Sequence, residues 1–193
     1  MNSIEVLEPL FAPINAIQRL IEAFDDQGII IGGVAASILG RPRLTADADA
    51  MILLSAEDIP QLVERAAKEG LVPRLPDVEE FARRSRVILL RHEESSIDVD
   101  ISLGLLPFEV EAVERSQEYD IGSLQVRLPT PEDLIILKAV AHRPKDMLDI
   151  EAVITAQDNL DTERIIFWVQ QFAELLEMPE LLTELEEMIQ RQQ

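Results

Sequence analysis

Asp47 and Asp49 are the residues whose type and spacing most directly permit chemistry. They lie in the stretch ADADAMILL, which starts polar and alternating and then turns apolar. Alternate residues of a strand point to one face, so these two carboxylates project side by side. Like charges at that separation repel and raise each other's pKa, and nothing in folding rewards the arrangement. A cation between them does, and a divalent metal is the simplest candidate. A second pair, Asp98 and Asp100, sits in SIDVDISL, again two residues apart in an alternating segment.

The elements that must position these carboxylates are legible on either side. IIIGG is too short and too β-branched for anything but a buried strand, and it runs into Gly32 and Gly33. VAASILG then fits a short helix that stops at Gly40. Two glycines directly after a buried strand let backbone amides approach a ligand closely, and the start of the next helix adds positive partial charge suited to phosphate. Arg43 and Thr45 lie between that helix and the aspartates. Three carboxylates from two strands suffice for two Mg²⁺ ions, which take oxygen ligands and bridge nucleotide phosphates. Such ions clamp the attacking and departing oxygens of an in-line displacement. Glycine pair, carboxylate pair and third carboxylate together predict a phosphoryl- or nucleotidyl-transfer site.

Upstream, INAIQRLIEAFDDQG places Ile14, Ile17, Leu20, Ile21 and Phe24 at helical spacing and stops at Gly28. SAEDIPQLVERAAKEG predicts a helix opened by Ser55 with Asp58 three residues on, a weaker form of the capping box. After a proline-bearing loop, DVEEFARRS reads as a helical turn or two, and RVILLRH and SIDVDISL as paired strands. PFEVEAVERSQEY reads as one helix with Pro107 in its first turn, and LQVRLP as a short strand. TPEDLIILKAVAHRP is a helix with Thr130 as N-cap and Pro131 at the first position. Three more helices follow, at about 144–156, 161–176 and 178–191. The order predicts an α+β fold, a small mixed β-sheet with helices over residues 1–129, followed by a C-terminal helical subdomain over residues 130–193.

Composition narrows the partners. The 193 residues hold 17 Lys and Arg against 37 Asp and Glu, a net charge of −20, which argues against a broad nucleic-acid surface. Residues 41–91 nevertheless carry nine of the 17 cations, so an anionic ligand is met by the first half. No apolar run approaches the roughly 20 residues that span a bilayer, the N-terminus lacks the pattern of a signal peptide, and cysteine is absent. A cytoplasmic protein with carboxylate metal ligands and no membrane is the expectation. Arg83, Arg84, Arg86 and Arg91 read as solvated surface, Arg83 and Arg84 within reach of Glu79 and Glu80. His92 and His142 read as ordinary loop or helix-end residues, and Phe167, Trp168 and Phe172 as core or dimer interface.

The blocks GGVAASILGRPRLTADADAMI, VDISLGLLPFE and PTPEDLIILKAVAHRPKDMLDIEAVI, in that order, resemble the nucleotidyltransferase superfamily named for DNA polymerase β. Within it the chain resembles the minimal nucleotidyltransferases of toxin–antitoxin and abortive-infection systems; antibiotic nucleotidyltransferases are more distant. The resemblance spans roughly residues 15–157. It implies that Gly32 and Gly33 cradle the nucleotide phosphates and that Asp47 and Asp49 bind metal. It further implies a third carboxylate at Asp100, with Asp98 as the alternative, and a second role for Asp100 as general base. Arg43 and Thr45 match the R-x-T-x-D-x-D form of the subgroup, which implies that the arginine contacts phosphate and that the threonine orients Asp47 or meets a phosphate oxygen. Lys138 falls where the family has a lysine near the triphosphate, ahead of the block RPKDMLD. Many members have serine after the first glycine, and alanines flank the aspartates here where larger aliphatic residues are usual.

The implied activity is metal-dependent transfer of a nucleoside monophosphate from an NTP to an acceptor hydroxyl, with two Mg²⁺ ions. The acceptor implied by the toxin–antitoxin relatives is a tRNA end or a protein, and the acidic surface adds a small cationic molecule. A homodimer or a co-encoded small helical protein is the expected macromolecular partner. The competing expectation is a non-catalytic or antitoxin-like nucleotide-binding module of the same fold.

Overall fold

The computed structural model of the chain describes residues 3–192. They form two compact units. One comprises the residues up to Ala35 together with Arg43–Pro129, the other Ala36–Pro42 together with the residues from Thr130 on.

The first unit is built on a five-stranded sheet. Its strands are β1 (Gly28–Ile31), β2 (Asp47–Leu53), β3 (Leu71–Pro73), β4 (Val87–His92) and β5 (Asp98–Gly104), in spatial order β1-β2-β5-β4-β3. The β2–β5 pair is parallel and the other pairs are antiparallel, so the sheet is mixed. Register follows from the alternation along the strands. Ile30, Ala50, Ile101 and Ile88 are successive partners across four strands, and all are fully buried. A slip of one residue would bring the aspartates into that row.

Helices α2 (Phe11–Glu22) and α4 (Ile59–Lys68) pack on the sheet, α2 on β1, β2 and β4 and α4 on β3. The helical stripe Ile14, Ile17, Leu20 and Ile21 is fully buried, each side chain contributing about 1.5–3 kcal/mol of transfer free energy. A short helix α1 (Ser3–Leu7) and a 3₁₀ turn (Glu8–Leu10) lead into α2, which starts three residues before the expected Ile14. Prolines are tolerated in first turns because the missing N–H has no helical acceptor there. Helix α2 ends at Glu22, ahead of the expected Gly28, and Asp25 and Asp26 follow with left-handed φ of 54° and 58°. The Ser55–Asp58 pair closes a turn before α4, Ser55 Oγ donating to Asp58 Oδ2 at 2.6 Å, so the helix begins at Ile59.

Beyond α5 (Val78–Ser85) and α6 (Pro107–Glu114) lies a departure from the sequence-based expectation. The helix expected over PFEVEAVERSQEY stops at Glu114, and its last residues form β6 (Gln117–Ile121), which pairs with β7 (Leu124–Leu128) as a separate hairpin. Gly122, at φ +66°, supplies the two-residue turn. The proline-bearing loop likewise contains β3, too short to announce itself.

Helix α3 (Gly32–Leu39) starts in the first unit, and its C-terminal half is grouped with the second. There Gln157 Nε2 donates to the Leu39 carbonyl at 2.8 Å. The rest of the second unit is α7 (Pro131–Ala141), α8 (Pro144–Ala156), α9 (Thr162–Leu176) and α10 (Glu180–Gln192). Thr130 caps α7 as its sequence requires, its hydroxyl accepting from the Asp133 N–H at 3.3 Å. Phe167 is exposed and Trp168 and Phe172 are half-buried, so this aromatic run is not core. Among the described residues no helix is long and apolar enough to cross a membrane.

Candidate active site

The sheet register assembles a square of carboxylates. Asp47 is the partner of Asp98 and Asp49 the partner of Asp100 across the parallel β2–β5 pair. Partners directly across a ladder share a face, so all four project from one side of the sheet. Between them, pointing into the core, stand the fully buried Ala48 and Val99. Farther along the same face the partners are Met51 with Ser102 and Leu53 with Gly104, so the carboxylates are confined to the starts of β2 and β5.

Gly32 and Thr45 frame the β2 side. Gly32 adopts φ +65°, a conformation that disfavours side chains, and a Cβ built on it would lie 1.9 Å from Asp49 Oδ2. The glycine thus admits the Asp49 carboxylate to the backbone at the start of α3. A Cβ on Gly33 would meet Thr45 Oγ1 at 2.4 Å and come within 3.4 Å of Arg43 Nη2. Thr45 Oγ1 in turn donates to Asp47 Oδ1 at 2.9 Å. Gly32, Gly33, Arg43, Thr45, Asp47 and Asp49 are therefore contiguous, and the glycines face the site's own side chains.

Two arginines frame the β5 side, and neither was singled out for this role by the sequence. Arg74, just past β3, donates through Nη1 to Asp98 Oδ2 at 2.7 Å and through Nη2 to Asp100 Oδ1. Its backbone N–H donates to the Leu89 carbonyl on β4, so the side chain reaches across that strand to β5. Strands lie about 4.8 Å apart, and an arginine is one of the few side chains long enough for the span. Arg91, the β4 partner of Asp98, donates through Nε to Asp98 Oδ1 at 2.8 Å. A signal for Arg91 exists in the sequence, a basic residue near the end of a strand that the short connection EES joins to the acidic strand. None exists for Arg74, whose surroundings, VPRLP, read as loop.

The two β5 carboxylates differ electrostatically. The Arg91 hydrogen bond, with the nearby Arg74 charge, holds Asp98 below the usual carboxylate range. Burial pushes Asp100 above it, opposed by Arg74 and reinforced by the charges of Asp47 and Asp98. The four carboxylates form an all-oxygen donor set of the kind Mg²⁺ prefers. A guanidinium already sits between two of them, which shows that this corner accommodates a cation. Among the described residues no three acidic or histidine side chains are drawn together tightly enough to hold an ion as they stand.

Lys138 belongs to the second unit and is enclosed there. It is 4% exposed, and its Nζ donates to Asp146 Oδ1 at 3.2 Å and to Asp149 Oδ2 at 2.6 Å, both carboxylates being buried as well. Arg143 adds a hydrogen bond from Nε to Asp146 Oδ2 at 2.6 Å. A lysine in an apolar helical run requires a partner, and the RPKDMLD block supplies two. Of the histidines, His92 is buried with Nδ1 2.8 Å from Ser95 Oγ, and the His142 ring lies 3.0 Å from Glu184.

A family model described as "Nucleotidyltransferase of unknown function (DUF6036)" matches residues 8–178. The fold is similar to the crystal structure of an antigenic nucleotidyltransferase-like protein from Paracoccidioides brasiliensis, with a TM-score of 0.55 and 15% identity over 96% of this chain and 94% of that one. It is similar also to the solution structure of the antibiotic-resistance factor ANT(2'')-Ia, with a TM-score of 0.55 and 17% identity over 87% of this chain and 95% of that one. At such identities the likeness is one of fold. No curated protein matches the chain in sequence. The match to the family model covers most of the chain, including the glycine pair and all four sheet carboxylates, and the chain belongs to this nucleotidyltransferase family.

Proposed function

We propose that the protein transfers a nucleoside monophosphate from an NTP to an acceptor hydroxyl in a metal-dependent reaction, with Asp47, Asp49 and Asp100 as the Mg²⁺ ligands. The observation that carries this reading is the register that sets Asp49 beside Asp100 and Asp47 beside Asp98. Four carboxylates on one half-exposed patch carry more charge than Arg74 and Arg91 supply, which favours a further cation, and Gly32 admits one of them to the start of α3.

Bound Mg²⁺ would neutralise charge developing on the α-phosphate and on the departing pyrophosphate. The residues of the chain do the rest. The first-turn amides of α3, with Gly32 and Gly33, face the phosphates as helix starts do. Arg43, within reach of Gly33, adds a cationic fork for phosphate oxygens. Thr45 fixes the orientation of Asp47 by donating to Oδ1. Asp100, set beside Asp49 across the parallel ladder, doubles as the group that takes the proton of the acceptor hydroxyl, as the family resemblance implies. Asp98, tied to two arginines, is the less available of the β5 pair.

The order of the sequence blocks supports a minimal enzyme of the toxin–antitoxin or abortive-infection kind acting in the cytoplasm, and the net charge of −20 favours a small cationic acceptor over a broad nucleic-acid surface. The reading is tested by calorimetric titration of each NTP with and without Mg²⁺, beside Asp47→Asn and Asp49→Asn. Metal-dependent binding lost in both variants is expected. Undiminished binding in both would overturn the assignment.

A further inference from the structure

We propose that Arg74 is a resident counter-cation of the carboxylate face, occupying the seat between Asp98 and Asp100 in the metal-free protein, so that metal binding at Asp100 requires its displacement. The inference rests on the metal-site reading above and extends it to a residue that contributes no ligand atom.

Three observations carry it. First, the geometry is that of a bridge: the two terminal nitrogens of one guanidinium engage two carboxylates that belong to the same strand and the same face. A carboxylate oxygen committed to an arginine is not available to a metal in the same direction, and Asp100 Oδ1 is so committed. Second, the bridge is incomplete. Arg74 Nε is buried and has no hydrogen-bond partner, so the seated state leaves one donor unsatisfied and is less favourable than a fully paired fork. Third, the side chain has room to leave. Arg74 lines a cavity of about 690 Å³ whose wall also carries Asp77, Glu79 and Glu80. A guanidinium leaving the sheet would find space and carboxylates there.

Arg91 does not share the role. It meets Asp98 alone and lies on β4 as that residue's direct partner. The two arginines thus make distinct predictions despite equal charge and similar location.

The test is calorimetric titration of Mn²⁺, as a Mg²⁺ substitute, into the full chain without nucleotide, for wild type, Arg74→Ala, Arg74→Lys, Arg91→Ala and Asp49→Asn, with thermal melts to establish folding. Arg74→Ala is expected to bind Mn²⁺ at least about tenfold more tightly than wild type. Arg74→Lys, which keeps the charge but lacks the fork, should fall between. Arg91→Ala should gain clearly less than Arg74→Ala. Equal gains in the two alanine variants would show a general charge effect and overturn the proposal, as would unchanged or weaker binding in both Arg74 variants. If Mn²⁺ binding disappears in Asp49→Asn while the Arg74 variants match wild type, the metal site stands and the counter-cation role fails. If no variant binds Mn²⁺, both fail together.

Discussion

The carboxylate of Asp49 occupies the space that a side chain at position 32 would take, with Asp49 Oδ2 1.9 Å from the Cβ that Gly32 lacks. That relationship joins the two halves of the motif through one contact. Gly32→Ala imposes both a left-handed backbone on a residue with a Cβ and a clash with Asp49. Positions of this type cost about 1–3 kcal/mol. The expected outcome is a folded protein with a lowered melting temperature and no metal-dependent NTP binding. Calorimetry and far-UV circular dichroism on the same sample check it; retained binding would mean that Asp49 adjusts without loss.

Thr45 offers a gentler probe of the same side. Its hydroxyl donates to Asp47 Oδ1 at 2.9 Å, and Thr45→Val removes the donor while preserving shape. A hydrogen bond to a charged group contributes about 1.5–3 kcal/mol, so NTP affinity in the presence of Mg²⁺ should fall roughly tenfold or more. Thr45→Ser should restore most of it. The melting temperature should also fall by a few degrees in Thr45→Val, because the same bond contributes to folding, and should recover in Thr45→Ser.

What the sequence revealed of this site, and what it concealed, divides along physical lines. Asp47, Asp49, Asp98 and Asp100 declare themselves by alternation, because strand periodicity is local and survives without any knowledge of partners. Their mutual pairing is not local: that Asp49 stands beside Asp100 rather than Asp98 is decided by the register of a parallel ladder whose strands are far apart in the chain. Arg74 is concealed for a stronger reason. Its strand is three residues long and ends in Pro73, so the segment carries turn chemistry, and its role exists only because its side chain reaches over β4. The hairpin of β6 and β7 was obscured by the helix-favouring run VERSQEY. There the decisive residue is Gly122, which lies beyond the run and reverses the chain. The mixed α+β architecture itself was legible from the order of apolar periodicities.

The acid response of the second unit follows from Asp146. Burial alone would raise its pKa, but hydrogen bonding to Arg143 and the Lys138 charge prevail and hold it below the ordinary 3.8. A carboxylate depressed in the folded state contributes stability that is present above the unfolded value and is lost as pH falls through the folded one. The wild-type protein should therefore lose this contribution only below the ordinary carboxylate range. Asp146→Asn should be less stable at neutral pH and should show a shallower loss across that acid window, measured by thermal melts over a pH series. Parallel curves for the two proteins would show that the ion pairs contribute nothing to acid stability.

Lys138 separates two roles that the chain assigns to one side chain. The family resemblance places a lysine of this helix near the triphosphate, whereas here its ammonium sits between the buried carboxylates Asp146 and Asp149 at 3.2 Å and 2.6 Å. Removing one partner of a buried ion pair costs about 3–5 kcal/mol, because the remaining charge is left uncompensated. Lys138→Met should therefore lower the melting temperature substantially, and Lys138→Met combined with Asp149→Asn should recover part of the loss. A nucleotide role predicts the opposite pattern: near-normal stability, weakened NTP binding and no rescue by the second substitution. The double variant decides between them, since neutralising Asp149 can relieve a buried unpaired charge and cannot restore a phosphate contact.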